Sequence, residues 1–258
     1  MRDYLEDADK HREDGIGRAQ PLQKAELPKR FYKEVGVGPA PDGYAVTLDG
    51  KSPRTPGQKP VIVPQQSLAE AMATEWAAQQ THINPETMPV TRLVNSAIEA
   101  GEERLAALRA EIVKYAGTDL LLYRADTPRE LVAEQERVWD AILVQLARHF
   151  DVSFQPTIGI MHQEQPQATL QRLQQAVADV GLIESVALVS ITGITGSGLL
   201  TIGWRENLLE AEAVWTAAHV DEDHNIRLWG EIEEITERRI KRRRDFDAAV
   251  KVAQLVRA

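Results

Sequence analysis

The residues best suited to chemistry in this chain crowd into one stretch near its end. His219, Asp221, Glu222, Asp223 and His224 are followed closely by Glu231, Glu233 and Glu234. Imidazole and carboxylate groups in such number would suit a divalent metal or a general acid–base pair, so a metal-dependent hydrolase using this acidic cluster is the enzymatic reading. Helical zinc sites place two histidines four apart, as in His-Glu-x-x-His, whereas His219 and His224 are five apart and diverge on a regular helix. Nothing local marks one carboxylate as buried or as raised in pKa. The expectation is no catalytic residue, no metal and no cofactor.

A second candidate is the glycine cluster Gly193-Ile194-Thr195-Gly196-Ser197-Gly198, with Gly203 close behind. A phosphate-cradling loop needs Lys followed by Ser or Thr after its last glycine, and Trp204-Arg205 stands there instead. A dinucleotide fingerprint needs flanking strand and helix within a βαβ unit, and a nucleophile elbow needs Gly-x-Ser-x-Gly, whereas Ser197 has a glycine on each side. Small residues that let backbones approach closely are the simpler explanation. A third candidate, Arg238, Arg239, Lys241, Arg242, Arg243 and Arg244, is the only hint of nucleic-acid affinity. It lacks interleaved aromatics for base stacking, follows directly on glutamates, and sits in a chain of formal net charge −9. Local neutralisation fits it better. With no cysteine, disulfides, thiolate metal sites and thiol nucleophiles are all excluded.

What must position these residues is a segment without proline from Ala218 onward, read as one long charged helix. Acids early and bases late complement the helix dipole, and Glu234/Arg238 and Glu237/Lys241 are i,i+4 pairs in the favourable order. The apolar thread Trp229, Ile232, Ile235, Ile240, Phe246, Val250 and Leu255 is expected to pack one face, leaving the acidic face to a partner. Upstream, residues 1–28 read as a polar arm. Residues 29–86 read as a small antiparallel β-rich domain: runs at 31–37, 44–50 and 60–64 are bounded by Gly, Pro or Asp, and a covering helix is capped by Ser67 with Glu70 at the capping-box position. Residues 87–258 read as a larger all-helical domain, with helices at 90–100, 102–116, from Thr127-Pro128 to Phe150, and at 166–180, 182–194 and 207–218. The fold class is α+β.

At 43% hydrophobic residues the chain can bury a substantial core. Its longest apolar stretch, 186–202, is interrupted by Ser, Thr and Gly, and the acidic N-terminus matches neither a secretory signal nor a transit peptide. A bacterial cytoplasmic protein without membrane insertion is the expectation.

Several motifs stand in a consistent order: Arg30-Phe31-Tyr32-Lys33, Gly43-Tyr44-x-Val46-x-Leu48-Asp49-Gly50-Lys51, Thr55-Pro56, Glu75-Trp76-x-x-Gln79 and Met88-Pro89-x-Thr91-Arg92-Leu93-x-Asn95. Tyr115-Ala116-x-Thr118-Asp119-Leu120-x-x-Tyr123-Arg124, Gln135-x-x-x-Trp139-Asp140 and Trp229-Gly230 follow them. Over about residues 27–255 the chain resembles the ATP12 family, assembly chaperones of the F1 sector of ATP synthase. The resemblance implies a protein that binds the free F1 α subunit and shields the apolar surface α later presents to β, without hydrolysing ATP. It also implies a β-rich N-terminal and a helical C-terminal part, and a monomer when free, with eukaryotic relatives in mitochondria. By position, Glu222 and Glu233 match family acids on either side of Trp229-Gly230, and Trp76 matches the tryptophan after the strand region. The partner-binding set implied is Asp221, Glu222, Trp229, Glu231, Glu233 and Glu234, with Trp76 in the core.

Overall fold

The computed structural model describes residues 27–257. The polar arm read at 1–28 lies outside the described residues except for Leu27 and Pro28. Two strands, β1 (Val35–Ala40) and β2 (Gly43–Leu48), form an antiparallel hairpin in the register Ala40↔Gly43 to Val35↔Leu48. Gly43 has φ +147° and stands where a Cβ would lie 2.3 Å from the Val63 carbonyl oxygen, so only glycine lets the 61–63 segment reach Tyr44. That third run makes one bridge, with Tyr44 N donating to Val63 O at 2.8 Å and Val63 N to Tyr44 O at 2.9 Å. Pro60 and Pro64 flank it and remove the donors that would extend the ladder, so the expected third strand stays a single bridge.

Helix α1 (Gln66–Ala77) covers the sheet, burying Leu68, Ala69 and Met72 with Val46, Leu48, Val61 and Val63. The expected cap at Ser67 is not formed: Gln65 holds the N-cap position and Ser67 lies inside the helix. Tyr32 lies edge-on to Trp76 with ring centroids 5.7 Å apart, and its hydroxyl donates to the Trp76 carbonyl at 2.8 Å.

Helix α2 (Pro89–Ala100) begins at Met88, which has no side-chain oxygen to cap it. The Glu75 carboxylate on α1 takes that role, accepting from Val90 N and Thr91 N at 2.8 Å each. Burial pushes the Glu75 carboxyl up, while those hydrogen bonds pull it down. The strand-bearing and helical parts are thus joined by a cap as well as by apolar packing.

The helical part continues with α3 (Leu105–Gly117), α4 (Arg129–Gln135), a π-helical turn at Glu136–Asp140, α5 (Ala141–Phe150), α6 (Gln167–Ala176), α7 (Leu182–Thr195), α8 (Gly198–Arg205) and α9 (Ala211–Ala218). It is not wholly helical, since β3 (Tyr123–Arg124) pairs in parallel with β4 (Thr157–Ile158). Pro128, not Thr127, holds the N-cap position of α4. Asn207 is left-handed with φ +57°, so α9 starts later than its apolar spacing suggests.

The glycine cluster does serve close packing. A Cβ on Gly198 would lie 2.2 Å from the Ile112 carbonyl oxygen, and Gly196, at φ +70°, ends α7. Buried Asp119 ties this corner together, accepting from the Ser197 hydroxyl at 2.6 Å, Leu199 N at 2.8 Å and Leu121 N at 3.1 Å. Burial pushes its carboxyl up to about 7 against the pull of these donors. Trp139, fully buried, donates from its indole to the Ala217 carbonyl at 2.8 Å.

Candidate functional site

The charged C-terminal segment is two helices, α10 (Val220–Trp229) and α11 (Glu233–Arg257). Gly230 separates them with φ +83° and ψ 175°, a backbone region essentially restricted to glycine, and its N–H closes α10 on the Ile226 carbonyl at 2.8 Å. The single long helix expected from the charge pattern is therefore broken. The acids of the first α10 turn and the bases of α11 meet across the corner rather than along one axis. Arg239 reaches Asp223 at 2.6 Å and Glu222 at 3.4 Å, and Arg242 reaches Glu222 at 3.7 Å. Arg242 also donates to the Ile194 carbonyl of α7. Arg243 pairs with Glu212 at 2.7 Å and Asp247 at 2.9 Å, with its guanidinium 5.2 Å from the Trp215 ring centroid. Much of the basic run is consumed within the fold. The expected pairs Glu234/Arg238 and Glu237/Lys241 are not within ion-pair distance.

The apolar thread packs only in its second half. Phe246 and Val250 are buried and Leu255 is half-buried, whereas Trp229 is 77% exposed, Ile240 65% and Ile232 57%. Instead of anchoring a helix, Trp229 and Ile232 join Ile226 and Ile235 around an open groove of about 430 Å³ between α10 and α11. Glu222, Asn225, Thr236 and Arg238 supply its polar rim. Of the six residues expected to bind a partner, Glu222 and Trp229 line this groove. Asp221 does not: it accepts from Gln135 Nε2 at 2.8 Å, which fixes α10 against α4. Glu231, Glu233 and Glu234 are exposed around the start of α11. Glu222 is spoken for by two arginines and is not a free acid. Ile226 and Asn225 were missed by the sequence reading, although Ile226, Trp229, Ile232 and Ile235 recur every third residue straight through the Gly230 break.

Among the described residues no group of three or more His, Cys, Asp or Glu is arranged to hold a metal. His219 is buried, and its Nδ1 lies 2.7 Å from the Trp215 carbonyl, so that nitrogen carries the proton. Burial lowers its pKa, as do Arg239 and Arg242 nearby, so the ring stays neutral. What the corner offers chemically is an apolar, partly aromatic surface ringed by charge, which suits recognition of a protein surface.

A family model described as ATP12 chaperone protein matches residues 29–147. The mitochondrial protein atp12 of Schizosaccharomyces pombe is 23% identical over 221 residues, covering 81% of this chain and 76% of its own length. The crystal structure of Atp12 from Paracoccus denitrificans superposes with a TM-score of 0.82 at 32% identity, covering 89% of this chain and 98% of that one. The Agrobacterium tumefaciens protein Atu1473 superposes with a TM-score of 0.85 at 36% identity, covering 99% of this chain and 97% of that one.

Proposed function

The chain belongs to the ATP12 chaperone family, and on that premise we propose that it binds the unassembled α subunit of the F1 sector of ATP synthase and keeps it from aggregating until α meets β. The observation that carries this reading is the α10–α11 groove. A tryptophan exposed to 77% and isoleucines around it cost solvation free energy in the free protein, of the order of 25 cal/mol per Å² of apolar surface that a partner would cover. Glu231, Glu233 and Glu234 beside it are exposed acids that would meet a basic rim on the client and speed its encounter.

In this reading the protein is not an enzyme, works without ATP, and is a monomer when free. No helix among the described residues is long and apolar enough to cross a membrane. A cytoplasmic location in a bacterium completes the proposal, the fungal relative being named as mitochondrial. The division into a β-rich unit at 29–86 and a helical unit at 87–258 belongs to the same proposal, with Glu75 bridging the two.

Light scattering of isolated α subunit tests the reading. Wild type should suppress aggregation near equimolar ratio, and Trp229→Ala and Glu233→Lys should suppress it poorly while keeping the wild-type circular dichroism spectrum. Equal suppression by all three folded proteins would place the client elsewhere on the chain.

A further inference from the structure

The α10–α11 groove lies in the angle between two helices, and that limits the kind of backbone that can enter it. Ile226 and Trp229 stand three apart on α10, and Ile235 and Arg238 three apart on α11, so each wall presents a ridge at helical spacing. Ile232, at the foot of α11, lines the groove between them, its carbonyl accepting from Thr236 N at 2.9 Å. Main-chain groups along both walls are turned into their own helices' hydrogen-bond ladders, as at Gly230 N, which donates to Ile226 O at 2.8 Å. A β-strand seated here would find no ladder edge to pair with, and its buried peptide groups would go unmet. A helix satisfies its own backbone and needs from the groove only apolar contact.

Charge narrows the occupant further. Glu231, Glu233, Glu234 and Glu237 are exposed, stand next in sequence to lining residues, and pair with no base among the described residues. Glu222 and Asp223, by contrast, are neutralised by Arg239 and Arg242. Arg238 is the single base in the lining. The rim is therefore net negative around an apolar floor, which draws Lys or Arg on an incoming surface and repels Asp or Glu.

We propose that this groove holds an amphipathic helix of the client. Aliphatic residues at i, i+3, i+4 and i+7 of that helix pack on Ile226, Trp229, Ile232 and Ile235, and Lys or Arg along one flank meets the acids from Glu231 to Glu237. Resting on the client-binding role proposed above, the groove then selects by secondary structure as well as by charge: basic helices enter, strands and acidic helices do not.

The probe is the blocked peptide Ala-Lys-Leu-Ala-Lys-Ile-Leu-Ala-Lys-Leu-Ala-Lys-Ala-Leu, whose aliphatic residues share one face of a helix and whose lysines share a flank. Titrated into the ¹⁵N-labelled full chain at low salt, it should shift the indole N–H resonance assigned to Trp229 by its loss in Trp229→Phe. The shift should saturate, with a gain of helical circular dichroism beyond the sum of the two components. By calorimetry, Trp229→Ala should weaken binding at least about 10-fold, and Glu233→Lys and Glu234→Lys about 2- to 5-fold each. Ile160→Ala, which removes an equally apolar side chain 93% exposed outside the groove, should bind as wild type does. A peptide with proline at its centre, which breaks the helix, and one with Glu in place of Lys should both bind at least about 10-fold more weakly. No saturable shift up to millimolar peptide, equal binding of the proline peptide, or equal binding by Trp229→Ala overturns the proposal. A dimer of the free protein in sedimentation that Trp229→Ala dissolves overturns it as well, by assigning the groove to a second copy. Protection of α that depends on Trp229 without any binding of the peptide refutes the helix and leaves the function standing. Peptide binding without protection of α refutes the function and leaves the groove's preference for a basic helix standing.

Discussion

Charge reversal at Glu222 and at Glu233 separates holding the corner from holding a client. Glu222 lies 3.4 Å from one Arg239 nitrogen and 3.7 Å from one Arg242 nitrogen, and its side chain is only 25% exposed. Two unit charges about 4 Å apart interact by roughly 4 kcal/mol at an effective dielectric constant near 20. Lys at 222 would replace two such attractions with two repulsions. Long side chains swing outward, however, and partly exposed pairs are screened, which reduces the net loss to about 1–3 kcal/mol. Glu233 is exposed and makes no ion pair among the described residues, so its reversal should move stability by no more than about 0.5 kcal/mol. Urea unfolding followed by tryptophan fluorescence measures both. Pairing Glu222→Lys with Arg239→Glu should recover part of the loss, because the 222–239 contact is then attractive again. An unchanged urea midpoint in Glu222→Lys would refute the claim that these ion pairs hold α10 on α11. Loss of client protection by Glu222→Lys would then also count as direct contact, whereas a destabilised variant loses protection for structural reasons alone.

Three further outcomes follow from single sites. Gly230→Val forces a side chain into φ +83°, which costs about 1–3 kcal/mol and re-aims Trp229; wild-type stability together with wild-type suppression of α aggregation would refute the role of this corner. Trp76→Arg places a charge beside Tyr32 in a half-buried site and should cost about 2–4 kcal/mol, so melting within a degree or two of wild type would refute its packing role. Asp119 has its folded pKa raised, so the stability it contributes is fully present below the unfolded value near 3.8 and is lost as pH rises through about 7. Asp119→Asn does not titrate. Its stability deficit against wild type should therefore narrow from pH 5 to pH 8, by up to about 1.4 kcal/mol for each unit below 7, and a deficit constant with pH would refute this account of the buried carboxyl.

Most of what the chain reveals by itself is local. Helices such as 89–100 and 182–195 and the hairpin at 35–48 follow from apolar spacing and turn residues a few positions apart, and these act through short-range sterics. The lack of cysteine and the failed nucleotide motifs are properties of composition and spacing, so no structure is needed to read them. The ordered motifs from Arg30 to Trp229 likewise pointed to the family on their own. The tertiary structure decided whatever depends on residues far apart in sequence. Glu75 caps a helix starting 14 residues later, Asp119 closes a turn with Leu199 across 80 positions, and Glu222 meets Arg239 over 17. No periodicity encodes such pairings, because each depends on where other helices lie. The fate of Trp229 shows the same physics. Its i,i+3 neighbours make it look like a core residue, but burial needs an opposing surface, and the turn at Gly230 leaves it facing solvent with none.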